Sequence, residues 1–597
     1  MADYRAPLDD IRFALEELVD LAGMAKLDAF AGVDLDAVPA ILEEHARFVE
    51  EVVAPLNRSG DVEGSRLEEG SVRTPSGFVD AYRANVAAGW SAVPFPEGYG
   101  GGGFPWLVGT AMQEVLTSAN LAFSLCPLLT QGAIDMLLHH GTEEQRLTYL
   151  PRLLTGEWSA TMNLTEPHAG SDVGALTTRA VEQPDGSYRI FGTKIFITYG
   201  DHDMADNIVH LVLARTPGAP PGTRGISCFV VPKFLVGPDG TPGEPNDVAC
   251  VSIEHKVGIN ASPTCVLSFG DGGEGAVGHR IGEEHAGMRY MFTMMNNARL
   301  AMGVEGLAVA ERAYQDAVAY AHERRQGRAP GAPAGESSPI VEHPDVRRML
   351  LTMRASIEAL RGLTYANAEA IDLARHGVDE PARARAQERA DLLTPVSKGW
   401  GTDLGVELAS LAVQVHGGVG YIEETGVAQH WRDARITPIY EGTNGIQAID
   451  LVGRKLGLRG GAVVADLLDE IRGLDAALAA AGEDLATIRS ALAEGVDALA
   501  RATDWLAGPG RADPVDALAG ATPYLRLFGL VAGGWVMARQ ALAADRHLRS
   551  DPAGARAAFH GQKLLSARFY CEQILPVAGA LVPAVTATAR DLRAAAF

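Results

Sequence analysis

The chain has 597 residues, with 51 basic and 75 acidic side chains and a formal net charge of −24 at pH 7. This length exceeds what a single hydrophobic core supports, so several domains are predicted. The acidic balance would repel a phosphate backbone over most of the surface, which argues against nucleic acid as a partner.

The cysteines are odd in number, widely spaced and without a Cys-x-x-Cys pair; they are Cys126, Cys228, Cys250, Cys265 and Cys571. This usage argues against a disulfide scaffold and against zinc, so no metal site is predicted and a reducing cytoplasm is expected. Residues 1–10 lack an apolar signal core, and the longest uncharged apolar run, residues 527–538, is too short to span a bilayer. We therefore expect a soluble, untargeted protein with no membrane partner.

The first predicted domain, residues 1–158, is helical in pattern. Apolar positions recur three and four apart in residues 39–53, 77–88 and 142–153. Residues 98–105 contain consecutive glycines. We interpret them as a loop rather than a phosphate-binding loop, because no strand precedes them and no Gly-Lys-Ser/Thr follows.

The pattern changes over residues 159–284, which predict a small β domain. Short β-branched or alternating segments separated by Pro, Gly and Asp turns span residues 207–215, 226–232, 248–255 and 263–269. Residues 273–278 match Gly-x-Gly-x-x-Gly but open no helix. We therefore do not interpret them as a dinucleotide-binding motif.

The third predicted domain, residues 285–460, is a helical bundle that packs against the β domain. A long helix over residues 286–325 is followed by a Gly/Pro/Ser loop at 327–340. Further apolar stripes at helical spacing lie at residues 344–368, 384–398, 405–415 and 446–456.

The fourth predicted domain, residues 461–597, is an additional helical domain. Long amphipathic helices are predicted over 463–507 and 523–545, with a last pair near 553–595. The exposed face of 464–505 is mostly acidic, which disfavours an anionic membrane and favours a role in subunit or domain packing. The predicted fold class is α+β, mostly α.

One carboxylate stands out in the segment 439–447, Ile-Tyr-Glu-Gly-Thr-Asn-Gly-Ile-Gln. Glu441 lies between Tyr440 and a Gly-Thr turn, and partial desolvation by its apolar neighbours would raise its proton affinity. Gly442 lets the backbone approach a ligand closely. The alternative is a surface carboxylate beside an ordinary turn.

This segment and several upstream motifs together resemble the acyl-CoA dehydrogenase family. The resemblance covers residues 40–460, and its motifs are Gly141–Gln145, Tyr149–Arg152, Thr165–Asp172, Lys194–Thr198, Gln414–Gly418 and the segment around Glu441. It implies that family's fold, FAD as cofactor, an acyl-CoA as substrate and an electron-transfer flavoprotein as electron acceptor. It also implies that Glu441 removes the α-proton while the β-carbon passes hydride to the flavin, which leaves a trans-2-enoyl thioester.

The resemblance further implies two sets of binding residues. The cofactor set is Met162, Leu164, Thr165, Ser171, Phe196, Thr198, Arg324, Gln414, Gly417, Gly418 and Thr443. The substrate set is Ser171, Asn296, Arg299, Tyr440 and Gly442.

Without the resemblance, Phe196 is interpreted as a strand core residue and Arg324 as a solvated helix end. Many family members carry Trp at Phe196, an aromatic residue at Met162 and an acid at Asn296. Some members place their catalytic base at the position of Ala298. Alanine has no group that can accept a proton, so that arrangement is excluded here.

Residues 4–12, 253–259 and 343–351 are similar to a longer subgroup that includes 3-methylthiopropionyl-CoA dehydrogenases. In such extended members the extra helices replace the second dimer of a tetramer, so the resemblance implies a homodimer. Two alternatives stay open on the same fold: an acyl-CoA oxidase that passes electrons to oxygen, and a flavoprotein without turnover.

Overall fold

Helices dominate the computed structural model, which describes residues 3–333 and 335–597. The N-terminal helices are α1 Leu8–Phe13, α2 Leu21–Met24, α3 Val38–Phe48, α4 Leu56–Glu63, α5 Phe78–Ala88, α6 Trp106–Ala119, α7 Leu121–His140 and α8 Glu143–Thr155, with a hairpin of β1 Arg66–Glu68 and β2 Ser71–Arg73. The helices predicted from residues 39–53, 77–88 and 142–153 are confirmed, the first as α3 and a π-helical turn, Val49–Val53.

The β region contains an eight-stranded sheet and a small hairpin. Its strands are β3 Trp158–Asn163, β4 Arg179–Glu182, β5 Tyr188–Thr198, β6 Asn207–Ala214, β7 Ser227–Pro232, β8 Phe234–Val236, β9 Pro242–Pro245, β10 Val248–Ile253, β11 Thr264–Phe269 and β12 Ala276–Ile281. The sheet order is β10-β11-β5-β12-β7-β6-β3, with β4 also paired to β5 and β8 paired to β9 outside it. Only β3 and β6 pair in parallel among these strands.

The core of the sheet is made of apolar side chains from several adjacent strands, among them Tyr188, Ile190, Phe229 and Leu267. Gly273–Gly278 forms a turn and the start of β12, which pairs with β5. The motif therefore opens a strand rather than a helix, as predicted.

The following helices are α9 Gly287–Glu323, α10 Pro344–His376, α11 Glu380–His416, α12 Val427–Ala434 and α13 Asn444–Asp450. The prediction of two separate helices at 384–398 and 405–415 is wrong, because α11 is continuous. Gly405, between the two predicted stretches, serves close packing: a Cβ on it would lie 2.7 Å from the carbonyl oxygen of Gly306 on α9.

The C-terminal helices are α14 Ala462–Gly473, α15 Asp475–Ala480, α16 Ala486–Ala507, α17 Pro514–Ala519, α18 Ala521–Ser550, α19 Ala557–Phe569, α20 Val577–Thr586 and α21 Arg590–Ala594. The single helix predicted over 463–507 is wrong, since the chain turns between α14, α15 and α16, where Gly482 has a φ of +90°. The last pair, predicted near 553–595, corresponds to the helical stretch Ala557–Thr586, in which a π-helical turn joins α19 to α20, followed by α21.

The chain divides into two compact units. The first contains residues up to 43, 105–118 and 302–597, and the second contains residues 44–104 and 119–301. The domain boundaries drawn from the sequence stay a prediction.

A buried ionic cluster links α6, α9 and α10 inside the first unit. The Arg361 guanidinium donates to Glu114 Oε1 at 2.9 Å and to Glu311 Oε2 at 3.0 Å, and the Tyr365 hydroxyl donates to Glu114 Oε2 at 2.7 Å. The buried carboxylates and the guanidinium therefore have partners of opposite charge inside the protein.

Three helical stretches are long and apolar enough, by length and composition alone, to cross a membrane: Leu121–His140, Ala521–Ser550 and Ala557–Thr586. The longest uncharged apolar run, residues 527–538, lies within the second of these stretches. In the first two, 89% of the apolar stretch is buried inside the structure, whereas in the third 28% is buried.

Candidate active site

The turn before α13 presents Glu441. This residue is half-buried and has a left-handed φ of +55°, and Gly442 follows with a φ of +85°. Thr443 begins the helix by accepting a bond from the Ile446 N–H at 3.3 Å. The Gln447 amide donates to the Gly442 carbonyl at 3.2 Å. A non-glycine residue in this conformation is strained, so the surrounding bonds must hold it.

Asn444 anchors the turn to α11. Its buried amide donates to Asp403 Oδ1 at 2.7 Å and to the Gly399 carbonyl at 2.9 Å, and its Oδ1 accepts from Lys398 Nζ at 2.8 Å. All of these groups belong to the first unit. The sequence analysis assigned no role to this asparagine.

Glu305 is a second carboxyl group beside this turn. It is fully buried on α9, and the Tyr440 hydroxyl donates to its Oε2. Burial raises the pKa of Glu305 to about 8, and the charge of Glu441 also raises it, while Tyr440 and Lys398 act in the opposite direction. The sequence analysis missed Glu305, although a single acid within the apolar run 300–310 is a usable signal.

In the second unit, a β-bulge displays Phe196. Ile197 pairs with Cys265 and Lys194 pairs with Leu267, so two residues of β5 lie opposite one residue of β11. Phe196 has a φ of +59° and is 58% exposed. Its interpretation as a strand core residue is therefore wrong, and bulges of this kind commonly redirect a side chain next to a ligand site.

The loop that carries Thr165 is fastened to β5 beside that bulge. The Ile195 N–H donates to the Thr165 carbonyl at 2.9 Å. Lys194 Nζ donates to the Leu164 carbonyl at 3.0 Å and to Glu166 Oε1 at 2.9 Å. Leu164 is buried, whereas Thr165 is half-exposed and remains available to a ligand.

Glu166 and Lys194 form a buried ion pair that the sequence analysis also missed. Thr177 and Thr178 donate to Glu166 from both their backbone N–H and hydroxyl groups, at 2.5 to 2.9 Å. Burial opposes ionisation of Glu166, but Lys194 and the two threonines hold its pKa at about 2. Burial lowers the pKa of Lys194 to about 8, against the attraction of Glu166. Both groups are therefore charged at neutral pH.

The other predicted residues of the second unit are more dispersed. Met162 on β3 and Thr198 on β5 are half-buried, and Ser171 is exposed. On α9, Arg299 is 6% exposed and donates to the Oδ1 of the exposed Asn296 at 3.4 Å. The Arg299 guanidinium also lies over a neighbouring phenylalanine ring of the same helix.

The predicted adenosine-side residues of the first unit are exposed. Arg324 follows α9, and Gln414, Gly417 and Gly418 lie at the end of α11. A Cβ added to either glycine would have no heavy atom within 4 Å. Gln414 also lines a cavity of about 510 Å³. The exposure of Arg324 is compatible with a solvated helix end as well as with phosphate binding.

Taken together, the predicted residues form a set in each unit. In the first unit, Tyr440, Glu441, Gly442 and Thr443 are consecutive and lie against Glu305 and α11. In the second unit, the Thr165 loop and Phe196 are joined through Lys194. The roles given to these residues stay predictions.

Four family models match consecutive parts of the chain: "Acyl-CoA dehydrogenase, N-terminal domain" at residues 37–157, "Acyl-CoA dehydrogenase, middle domain" at 161–271, "Acyl-CoA dehydrogenase, C-terminal domain" at 285–456 and "Acetyl-CoA dehydrogenase C-terminal like" at 467–596. A 3-methylmercaptopropionyl-CoA dehydrogenase of Ruegeria pomeroyi is 48% identical over 594 residues, 100% of each chain. The chain belongs to the acyl-CoA dehydrogenase family. It is therefore an oxidoreductase, and the predicted fold class and extended subgroup are confirmed.

Further relatives share this length. The broad-specificity linear acyl-CoA dehydrogenase FadE5 of Mycobacterium tuberculosis is 36% identical over 97% of this chain and 96% of its own. A crystal structure of an acyl-CoA dehydrogenase complexed with FAD from Bacillus anthracis has a TM-score of 0.71, with 22% identity over 93% of this chain and 90% of that chain. At that identity the structural match supports the fold alone.

The residues present suit a flavin. Phe196 is largely exposed on a bulge with a left-handed backbone, so its flat apolar face is open to a ligand. An apolar ring of this size is normally buried unless it belongs to a binding surface. Thr165 and Thr198 flank it with hydroxyl groups, the donor and acceptor type that a pyrimidine edge needs. The glycines after α11 leave their backbone open to close approach.

Proposed function

We propose that the chain oxidises an acyl-CoA thioester to the trans-2-enoyl-CoA with FAD as cofactor. The observation that carries this proposal is Glu441, a half-buried carboxylate held in a left-handed turn at the motif position of the family's base. A weakly solvated carboxylate in a fixed conformation suits removal of an α-proton. When bound, FAD accepts the hydride equivalent from the β-carbon.

We assign the flavin ring to the Phe196 bulge and the Thr165 loop. The buried Glu166–Lys194 pair would keep these two elements in fixed positions. Met162, Leu164, Ser171 and Thr198 complete this set in the second unit, and Thr443 is the cofactor candidate beside Glu441 in the first unit. Arg324, Gln414, Gly417 and Gly418 would contact the pyrophosphate and adenosine of an FAD shared with a neighbouring subunit, since a guanidinium suits paired phosphate oxygens.

Our candidate substrate-binding residues, taken from the family resemblance, are Tyr440 and Gly442 in the first unit and Arg299 in the second. Developing charge on the thioester oxygen needs preorganised donors, and the backbone N–H of Glu441 is our candidate from this chain. Asn296 replaces the acid of many relatives, and Arg299 already donates to it. The hydrogen bond that such relatives make to CoA from this position would therefore come from an amide here.

As substrate we propose 3-methylmercaptopropionyl-CoA, with short linear acyl-CoAs as the second candidates. The full-length similarity to the Ruegeria pomeroyi enzyme supports the first, and the similarity to FadE5 supports the second. Initial rates with thioesters from propionyl to palmitoyl, together with the methylthio compound, test this assignment. A preference for long chains would refute it.

We further propose a homodimer in a reducing cytoplasm. Large apolar side chains of the first unit are exposed along residues 419–439; they are Val419, Tyr421, Ile422, Trp431 and Ile439, with Tyr421 86% exposed. An apolar patch of this kind marks an interaction surface, and the exposed adenosine-side residues lie near it in sequence. Tyr421→Glu should shift the protein from dimer to monomer in sedimentation velocity and lower its FAD content.

Anaerobic addition of acyl-CoA to the purified flavoprotein tests the reaction class. Bleaching of the flavin followed by fast reoxidation with an electron-transfer flavoprotein, and slow reoxidation by air, supports a dehydrogenase; fast reoxidation by air supports an oxidase. The absence of bleaching with every thioester supports the flavoprotein without turnover.

Glu441→Gln tests the base. The variant should retain FAD and bind acyl-CoA, while flavin reduction slows by about 10³-fold or more, because an amide cannot accept the α-proton. Glu494→Gln, an exposed carboxylate on α16, is the matched control and should behave as wild type. Normal reduction in Glu441→Gln would remove Glu441 from the mechanism.

A further inference from the structure

Glu305 is a buried carboxyl group on α9 whose surroundings satisfy only one of its two oxygens. Its side chain has no solvent exposure, and its Oε1 has no hydrogen-bond partner within residues 3–333 and 335–597. A buried, half-satisfied carboxyl group costs free energy of folding. Such a group in a native protein requires an explanation.

The Tyr440 hydroxyl connects Glu305 to Glu441. Tyr440 donates to Glu305 Oε2, and its backbone N–H donates to the Ile436 carbonyl at 3.3 Å. The next residue is Glu441, whose φ is +55°. Glu305 is therefore a side-chain anchor for the residue that directly precedes a strained carboxylate. A strained conformation persists where its neighbours are held in place.

The groups that act electrostatically on Glu305 are Tyr440, Glu441 and Lys398. The ammonium of Lys398 donates to Asn444 Oδ1 at 2.8 Å. Burial and the charge of Glu441 outweigh Tyr440 and Lys398, which keeps Glu305 mostly protonated at neutral pH. Two neighbouring carboxyl groups of unequal proton affinity are a recurrent means of keeping one acid neutral and one ionised.

We propose that Glu305 is a positioning residue for Glu441, which it serves by holding the Tyr440 hydroxyl. This inference rests on the proposed role of Glu441 as the base. Ionisation of Glu305 would place a second negative charge beside Glu441 and raise the proton affinity of Glu441. An uncharged Glu305 therefore favours the ionised form of Glu441 at neutral pH. Raising the pH cannot protonate Glu441, so ionisation of Glu305 above about pH 8 leaves Glu441 a stronger base and raises the rate.

The first test is the pH dependence of flavin reduction in anaerobic stopped-flow, from about pH 6 to about pH 10. Wild type should gain rate with an inflection near pH 8. Glu305→Gln, which still accepts from Tyr440, should keep its neutral-pH rate within about threefold and lack the inflection. Glu305→Ala removes the acceptor and should lose about tenfold or more at neutral pH. Glu323→Gln, an exposed acid on the same helix, should match wild type.

Tyr440→Phe provides a test that does not require replacement of Glu305. Its hydroxyl lowers the pKa of Glu305, so its removal should move the inflection to higher pH. An inflection that stays in place or moves to lower pH in Tyr440→Phe would overturn the inference. This variant decides the question even if Glu305→Gln does not fold.

The second test needs no substrate. An infrared titration should show the carbonyl band of one protonated carboxyl group that disappears above about pH 8 and is absent from Glu305→Gln. The stability of the protein should depend on the same proton. Because the pKa of Glu305 is raised in the folded state, the folded protein binds this proton more tightly than the unfolded chain does. The stabilisation from the bound proton is therefore lost as pH rises from 4.5 to about 8.

Retention of the inflection by Glu305→Gln, or full activity of Glu305→Ala, would overturn the positioning role. Failure of the proposed function is seen separately, as normal turnover by Glu441→Gln. The infrared titration of Glu305 would be unaffected by that result, so the two failures are distinguishable.

Discussion

Glu166→Gln removes the charge that balances Lys194 inside the second unit. The pKa of Glu166 falls from 4.5 to about 2, which corresponds to about 3 kcal/mol of preference for the ionised form at about 1.4 kcal/mol per pKa unit. The side chains of Glu166 and Lys194 are 2% and 0% exposed, so little solvent screening reduces this value. It agrees with about 3–5 kcal/mol for breaking one side of a buried ion pair.

Hydrogen exchange of the loop amides is the suitable assay, because a chain of two compact units is not expected to unfold in one step. Loss of about 3 kcal/mol should accelerate exchange in residues 164–178 by about 10²-fold and lower FAD retention. Glu244→Gln, an exposed carboxylate on β9, is the matched control. Adding Lys194→Met to Glu166→Gln should recover part of the loss, since it removes the uncompensated charge.

The sign of the pH dependence gives a second check. Because the pKa of Glu166 is depressed, its contribution is present above pH 4.5 and is lost as pH falls toward about 2. The loop should therefore lose protection over that interval in wild type and show a flatter response in Glu166→Gln. Identical exchange in both proteins, at neutral and at acid pH, would refute the reasoning.

Three further substitutions test how the units are held together internally. Arg361→Met leaves Glu114 buried without its cation and should lower the free energy of opening of the first unit by about 3–5 kcal/mol, measured by hydrogen exchange of its helices. Gly529→Ala places a Cβ 2.1 Å from Trp400 Cγ and should cost about 1–3 kcal/mol in the same assay through overpacking. Thr142→Ala removes the capping box of α8 and should cost about 1 kcal/mol, measured as faster amide exchange in the first turn of that helix.

The helices most faithfully predicted are those whose apolar face alternates with a polar face. Residues 77–88 became α5 with apolar contacts on one side and Gly89 at its end. The prediction failed at α11, where glycines that usually end a helix instead permit close approach to α9. A glycine can end a helix or allow a neighbouring helix to pack closely against it. Which of the two occurs depends on tertiary contacts that the local sequence pattern does not contain.

For the candidate site, the motifs identified Phe196 and Glu441 as residues of interest, and both occupy left-handed conformations in the structure. Strain at these positions is independent of the resemblance that singled them out, and it is typical of functional residues. The supporting carboxyl groups, Glu166 and Glu305, were not identified. Their importance depends on partners 28 and 135 residues away along the chain, a separation at which one sequence does not reveal pairing.

Glu166 and Glu305 also show why burial alone does not determine the state of a carboxyl group. Burial raises the pKa of both. Glu166 has a buried ammonium and four hydrogen bonds from two threonines, so it remains ionised. Glu305 has one phenol and a like charge nearby, so it remains protonated at neutral pH. Acidification should therefore perturb the Thr165 loop without changing the state of Glu305. Alkalinisation should ionise Glu305, while Glu166 stays ionised and Lys194, whose pKa is about 8, loses its charge.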